Sequence, residues 1–587
     1  MRKKWDLTKL YKNEKDTQIK KDIENSKKFV KTFEKRWSKR TDWLKEPQTL
    51  KKILDEYEKF YNRIGFSKNV DYYLRLRNSL DQDNIKIKAE INKLHDVEIE
   101  LVNKMQFLEL RLGKIPKKTQ KIFLNSELLS EYRHFLERVF ESAKHHLSED
   151  EERILNAKSK VSHSNWVSML SRLLAKEEAN VIDEDGENRV KNFSEIMTLL
   201  KSTKKACRDS AAEKFNEILA KHVEVAENEM NSILENKKVN DKLRKFSYPE
   251  ESRHLSDDID TETVNSMVRS VTESFDIAKE YYRKKAALLK VDKLKYHERN
   301  VPIGELSKTF GYKEATRLVS ETFHNIDSEF GDIFDKFLNE GHIDTYPKKG
   351  KISGAFCAAH LNVSPVYILL NFNNKVDDIR TIAHEAGHGI NFELMKAQNS
   401  LNFDSPLSTA EVASTFFEDF IVEKLTKLLP PEEQVILKMQ KLNDDISTIF
   451  RQIAAYNFES ELHREFYKKG YLSYEEIGKL FKKHMKSYMG DFVSDDPGCE
   501  NWWVYWSHFR NFFYVYTYSS GLLISKAMQD LVKEDKSNVK LVKEFLSAGS
   551  VKSPKDLFAD IGIDISEKSF WLRGIEKVKF LLDDVEV

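Results

Sequence analysis

His384-Glu385-Ala386-Gly387-His388 places two imidazoles four positions apart with a carboxylate between them. On a helix that spacing stacks the two rings one turn apart on one face, where they can grip a single divalent ion. The carboxylate, one residue along, can take a proton from a metal-bound water, so the pentapeptide points to zinc-dependent hydrolysis. A catalytic zinc takes a third protein ligand and keeps a fourth position open, and that ligand must come from another segment. Glu411 is the candidate. Ser408-x-x-Glu411 also matches a capping box, so the local sequence leaves two readings of Glu411 open, metal ligand and helix cap. Glu418, two turns further on, lies on nearly the same face and can accept the proton on the other ring nitrogen of a histidine.

The elements that must position these groups can be read from their surroundings. Residues 364–372 form a short apolar, β-rich run entered through Pro365, which predicts a strand. Asn373, Asn374, Asp377 and Asp378 supply capping and first-turn acid chemistry, and Ile379, Ile382, Ala383 and Ala386 continue at helical spacing through the motif. A second helix is expected from Ser405 to Glu418, with Val412, Phe416 and Phe420 in an apolar row that packs it beside the first.

Several segments share an order with a known family. Ser353-Gly354-Ala355-Phe356-Cys357, the run from Tyr367 to Phe372, the motif at 384–388, and Glu411-Val412-Ala413-Ser414-Thr415 to Glu418 resemble oligoendopeptidase F, of the thimet oligopeptidase family. Trp5-Asp6-Leu7-Thr8-Lys9-Leu10-Tyr11 is similar to that family's opening, and His508, Phe513 to Tyr518, Ile561 to Ile565 and Phe570-Trp571 to its closing segments. The resemblance implies a mainly α, bowl-like, two-lobed protein with a deep channel and a small β-sheet near the zinc site. It implies His384, His388 and Glu411 as ligands of one zinc ion and Glu385 as general base. It implies short unstructured peptides as substrates, with Ser353, Gly354, Ala355 and Phe356 along an edge strand that the substrate backbone joins by β-augmentation.

The mechanism that follows is hydrolysis of internal peptide bonds. Zinc lowers the pKa of its water toward about 7, Glu385 accepts the proton, and the hydroxide attacks the carbonyl. The tetrahedral oxyanion needs further donors. The resemblance assigns that role to His508 and a tyrosine, Tyr516 first and Tyr514 second. The two tyrosines cannot both face the metal from one regular helix, because residues two apart project to opposite sides. Many relatives carry a tyrosine two positions after the histidine, whereas this chain has Arg510.

Composition fits such a protein. Gly 19 and Pro 11 among 587 residues fall well below the average usage of about 12%, so long helices are permitted. With 40% hydrophobic and 33% charged residues, amphipathic helices with solvated outer faces are expected. The 97 basic and 96 acidic residues nearly cancel, so no polyanion partner such as nucleic acid is implied. No apolar stretch reaches the roughly 20 residues needed to cross a bilayer. The opening Met1-Arg2-Lys3-Lys4 leads into charge rather than a signal-peptide core, so a cytoplasmic protein is expected. Cys207, Cys357 and Cys499 are few, odd in number and far apart, as in a reducing compartment.

Asp185-Gly186 marks a tight hairpin turn, and the domain boundary is placed just after it: a helical lobe over 1–195 and a catalytic domain over 196–587. A monomer is compatible with the sequence, which does not define the oligomeric state. Two other readings compete with the oligoendopeptidase: a carboxypeptidase or dicarboxypeptidase on a related fold, and a helical peptide-binding protein without turnover. The last gives Glu385 little reason to lie between two histidines.

Overall fold

A scarcity of helix breakers translates into helices that run long, one of them 40 residues, with strands confined to two small sheets among the described residues. A computed structural model describes residues 1–586 of this mainly α chain. The chain divides into two compact units, each assembled from three separated stretches. The first comprises Met1–Lys144, Lys308–Leu425 and Met528–Ile563; the second comprises His145–Ser307, Thr426–Ala527 and Asp564–Val587. The boundary expected at 195/196 falls inside the second unit, because the chain returns to each unit twice and no single cut can separate them.

In the first unit a three-stranded sheet precedes the helix that carries the motif. Its central strand, Tyr367–Leu369, pairs parallel with Ile343–Asp344 and antiparallel with Phe356–Ala358. The register sets Phe356 opposite Leu369 and Ala358 opposite Tyr367, and leaves Phe356–Ala358 at the edge. The opening segment braces this sheet: the Trp5 indole donates to the Ile368 carbonyl at 2.8 Å, and the Tyr367 hydroxyl donates to the Asp6 carbonyl at 2.7 Å. Trp5, Leu7, Tyr11, Tyr73 and Leu74 complete an apolar cluster with Tyr367 and Leu369. The family-like opening is thus a wedge behind the central strand.

The helix Val376–Met395 starts where the acids at its first turn predict. The Asp378 carboxylate accepts from the backbone N–H of Asn373 at 2.7 Å and of Lys375 at 2.9 Å, satisfying donors the helix leaves open. Ile379, Ile382, Ala383, Ala386 and Ile390 form its buried stripe. The next helix, Val412–Thr426, begins seven residues later than the first residue of the expected run.

The second unit contains the expected hairpin, Glu178–Ile182 paired with Asn188–Asn192. Gly186 supplies the positive φ of 83° at its turn, and the Asp183 carboxylate accepts from the N–H groups of Asp185 and Glu187. The 40-residue helix Lys205–Arg244 runs through this unit and buries Phe215, Leu219, Ala226, Met230 and Ile233. Beside it lies Arg451–Lys469, stopped by Gly470 at φ 78°, and the first part of Tyr516–Glu534 belongs to the same unit. No helix among the described residues is long and apolar enough to cross a membrane.

Candidate metal centre

Three side chains of the first unit converge, two from the helix Val376–Met395 and one from the residue just before the helix Val412–Thr426. His384 Nε2 lies 3.5 Å and His388 Nε2 3.4 Å from Glu411 Oε2, and the three donor atoms all lie within 4.8 Å of one another. Ligands about 2.0–2.1 Å from a tetrahedral ion stand about 3.4 Å from each other, so the two imidazole–carboxylate separations match those expected around one zinc. Two imidazoles and a carboxylate are also the donor set of a catalytic rather than a closed structural site.

Glu411 reaches this position because its helix starts one residue after it, at Val412. It therefore is not the third residue of a helix capped by Ser408. Its Oε2 accepts from the Ser414 hydroxyl at 2.8 Å, which fixes the carboxylate from one turn further along. The approach of the two helices depends on Gly387, inside the motif. A Cβ there would lie 2.8 Å from Ser414 Cα and 2.9 Å from the Ala413 carbonyl oxygen, so only glycine lets the backbones come this close.

A second layer holds the first. Glu418 Oε2 lies 3.1 Å from His384 Nδ1, so with Nδ1 protonated this ring donates to the carboxylate and presents Nε2 to the centre. The Arg380 guanidinium donates to the other oxygen of Glu418 at 2.8 and 3.2 Å.

Charges follow from this layout. Burial pulls the His384 pKa down, but the Glu418 hydrogen bond and the charges of Glu418, Glu385 and Glu411 outweigh it and raise it. Glu385 is buried, and desolvation lifts its carboxyl above the ordinary range, reinforced by Glu411 and opposed by His384, His388 and the Cys357 N–H. Burial also raises Glu411, but the hydrogen bond and charge of His388 with the charge of His384 carry it down to about 2. One carboxylate is thus kept charged between the imidazoles, and the other is biased toward holding a proton.

The other sequence-predicted residues are placed as follows. Ser353 and Gly354 are exposed and Ala355 and Phe356 half-buried; only Phe356 belongs to the edge strand, and the first three form the turn before it. Gly354 has φ 81°, and Asn371 donates to the carbonyls of Ile352 and Gly354 at 2.9 and 2.7 Å. Lys351, its side chain wholly buried, donates to Asp344 Oδ1, the Tyr346 carbonyl and the Leu370 carbonyl, tying this turn to the sheet.

His508, Tyr514 and Tyr516 all belong to the second unit. His508 and Tyr514, both half-buried, stack with ring centroids 5.3 Å apart and planes 10° from parallel. Desolvation, with Arg451 nearby, holds the His508 pKa below the ordinary value. Tyr516 is fully buried and its hydroxyl donates to Asp257 Oδ2 at 2.8 Å, against the rings of His254 and Tyr456. The expected preference for Tyr516 over Tyr514 is corrected on that ground, since a phenol sealed in a core and committed to a carboxylate has no proton donor to offer a substrate. The helix begins at Tyr516, so Tyr514 precedes it and the two need not share one helical face. Arg510 is also buried, 2% exposed, and pairs with Glu229.

Asp209, His297 and Glu298 form another group of close donors in the second unit. Lys205 and Lys295 pair with Asp209, and Arg208 and Lys205 with Glu298, so cations of the chain already neutralise it. It is an ion-pair network.

Sequence reasoning passed over Arg380, Ser414 and Gly387. Arg380 stands four residues before His384 and Ser414 three after Glu411, spacings that put each beside the group it supports.

Two imidazoles and a carboxylate converging beside a buried glutamate are the donor set and base of a metallopeptidase, a hydrolase of peptide bonds. The comparisons agree with that class: the model of peptidase family M3 matches residues 198–577, and that of oligopeptidase F matches 111–175. The chain belongs to peptidase family M3. It is 26% identical to the oligoendopeptidase F homolog of Borreliella burgdorferi over 600 residues, covering 99% of this chain and 98% of that one. It is 23% identical to oligopeptidase PepF of Bacillus subtilis, covering 93% and 85%. The crystal structure of oligoendopeptidase-F from Enterococcus faecium shares the fold with a TM-score of 0.72 at 18% identity, over 97% of this chain and 98% of that one.

Proposed function

We propose that this protein is a zinc-dependent oligoendopeptidase that hydrolyses internal bonds of short, unstructured peptides. The observation that carries the reading is the convergence of His384, His388 and Glu411 at 3.4–3.5 Å, with Glu385 buried next to them. Zinc bound by these three residues would supply Lewis acidity, lowering the pKa of a water to about 7 and polarising the substrate carbonyl.

The chain's own groups do the rest. Glu385 takes the proton of the attacking water and returns it to the leaving amine; the elevated affinity of its buried carboxyl for a proton suits both transfers. Glu418, held by Arg380, keeps the His384 ring in one orientation. His508 and Tyr514 are the proposed donors to the oxyanion, with Tyr516 supporting their loop from the core. The outer edge of Phe356–Ala358, together with the turn at 353–355, receives the substrate backbone, which favours extended peptides and tolerates many side chains.

The test is Glu385→Gln. The variant should bind one zinc per chain and show no cleavage of a quenched-fluorescent peptide; cleavage near the wild-type rate removes the assigned base. Cleavage of a C-terminally amidated peptide at an internal bond separates this reading from a carboxypeptidase, which requires the free carboxylate.

A further inference from the structure

Arg510, buried in the second unit, lies at the start of an unusual piece of backbone. Two consecutive non-glycine residues, Phe512 and Phe513, have positive φ values of 44° and 56°. Such conformations persist only where the surroundings over-determine them. Here four backbone groups of the loop are held by side chains. His163 Nε2 lies 2.8 Å from the Arg510 carbonyl, and Arg253 donates to the carbonyls of Asn511 and Phe512 at 3.1 and 3.3 Å. Glu459 accepts from the Phe513 N–H at 2.8 Å.

The Arg510 side chain closes the preceding turn. Its guanidinium donates to both oxygens of Glu229, at 3.2 and 2.7 Å, and to the carbonyls of Trp503 and Trp506 at 2.8 and 3.1 Å. Both partners are almost fully buried, with side-chain exposures of 3% and 1%. Glu229 stands in the middle of the 40-residue helix, so the loop is referred to the most extended element of its unit. A planar fork with four engaged hydrogen bonds fixes the direction of the chain on either side of His508, which a lysine cannot reproduce. What this geometry delivers is the parallel stack of His508 on Tyr514, six residues apart across the turn.

We propose that Arg510, anchored by Glu229, is a positioning residue of the peptidase reaction: it sets the His508–Tyr514 pair through the loop that joins them. The inference rests on the proposed function only in taking His508 as a group that assists turnover. Arg510 itself does not meet the substrate, because its guanidinium is consumed by Glu229 and two carbonyls.

The experiment is a double-mutant cycle read in kcat and KM on the zinc-loaded enzyme. Arg510→Lys should lower kcat by about 100-fold, the scale of a misplaced catalytic group, with KM changed by less than about twofold. In a His508→Ala background the same substitution should cost less than about threefold, since nothing remains for the loop to position. A merely structural arginine would lower activity by the same factor in both backgrounds, and that result overturns the proposal. An unchanged kcat for Arg510→Lys overturns it too. Glu229→Met/Arg510→Met removes both charges together and leaves none buried alone, so it serves as the folded comparison and should show the same pattern. If His508→Ala leaves kcat at the wild-type value, the assignment of His508 fails and this proposal with it. The reading of Glu385 and the metal site, tested separately by Glu385→Gln, would stand.

Discussion

Replacing Gly387 by alanine asks whether the metal site depends on how closely two helices approach. A Cβ at 387 meets Ser414 Cα at 2.8 Å and the Ala413 carbonyl oxygen at 2.9 Å, whereas ordinary contacts lie at 3.4–4 Å. Both neighbours are backbone, so no rotamer change relieves the clash, and the helices must separate by roughly 0.6 Å to restore contact. Glu411 belongs to the displaced segment and is hydrogen-bonded to Ser414. Metal–ligand distances tolerate about 0.2 Å, a third of that displacement. The variant should therefore lose about 10- to 100-fold in zinc affinity, the scale on which disturbed ligand support is felt. Overpacking should also cost about 1–3 kcal/mol of stability. Gly389→Ala is the control: its Cβ would meet the Phe337 ring at 2.7 Å, a side chain that can tilt, so it should cost stability but keep zinc. Metal analysis after dialysis against a zinc buffer, with thermal unfolding on the same samples, reads both quantities. Wild-type zinc affinity in Gly387→Ala, or equal losses in the two variants, would refute the reasoning.

Other expectations follow from single contacts. Arg380→Met should weaken zinc binding by about tenfold by releasing Glu418 from its fixed orientation, measured by competition with a chromophoric chelator; unchanged affinity would show that His384 alone holds Glu418. Lys351→Met should raise KM for peptides by about tenfold with kcat within about threefold, because the turn before the edge strand loses its tether; a change confined to kcat would contradict the assignment of that strand to substrate binding. Burial raises the Glu459 carboxyl to about 8 from an unfolded value near 4.5, so folding binds a proton between those pH values. The stability it contributes is fully present below about 4.5 and is lost as pH rises through about 8, at up to about 1.4 kcal/mol per pH unit. Glu459→Gln should therefore gain stability relative to wild type from pH 5 to 8 and hold that gain above; parallel stability–pH curves for the two proteins would rule out the buried, protonated acid.

How far the sequence could be read depended on whether a contact was local. The strand at 367–369, the acid-capped helix through His388 and the hairpin at Gly186 rest on periodicity and turn chemistry within a dozen residues, and the structure contains all three. Glu411 is ambiguous in sequence because a capping box and a metal ligand use the same residue types; the helix that starts at Val412 packs its first turn against Gly387, which lies 25 positions upstream. Tyr516 was misjudged for a similar reason. Its partner Asp257 stands 259 positions earlier, and no local pattern distinguishes a buried phenol from an exposed one. The interleaved units have the same origin, since only the assembled chain shows which stretches return to which core.

An arginine–carboxylate pair stands behind each supported group: half-buried Arg380–Glu418 behind His384 in one unit, and buried Arg510–Glu229 behind the loop that carries His508 in the other. Arg380–Glu418 and Arg510–Glu229 each place a charge where desolvation is costly, and such pairs are weak contributors to net stability. Their value lies in direction. A guanidinium fork aligns a carboxylate along defined axes, whereas an aliphatic contact lets a neighbour slide by several tenths of an ångström at little cost. A metal ligand tolerates about 0.2 Å and a donor to a developing oxyanion little more, so orientation is what these positions require.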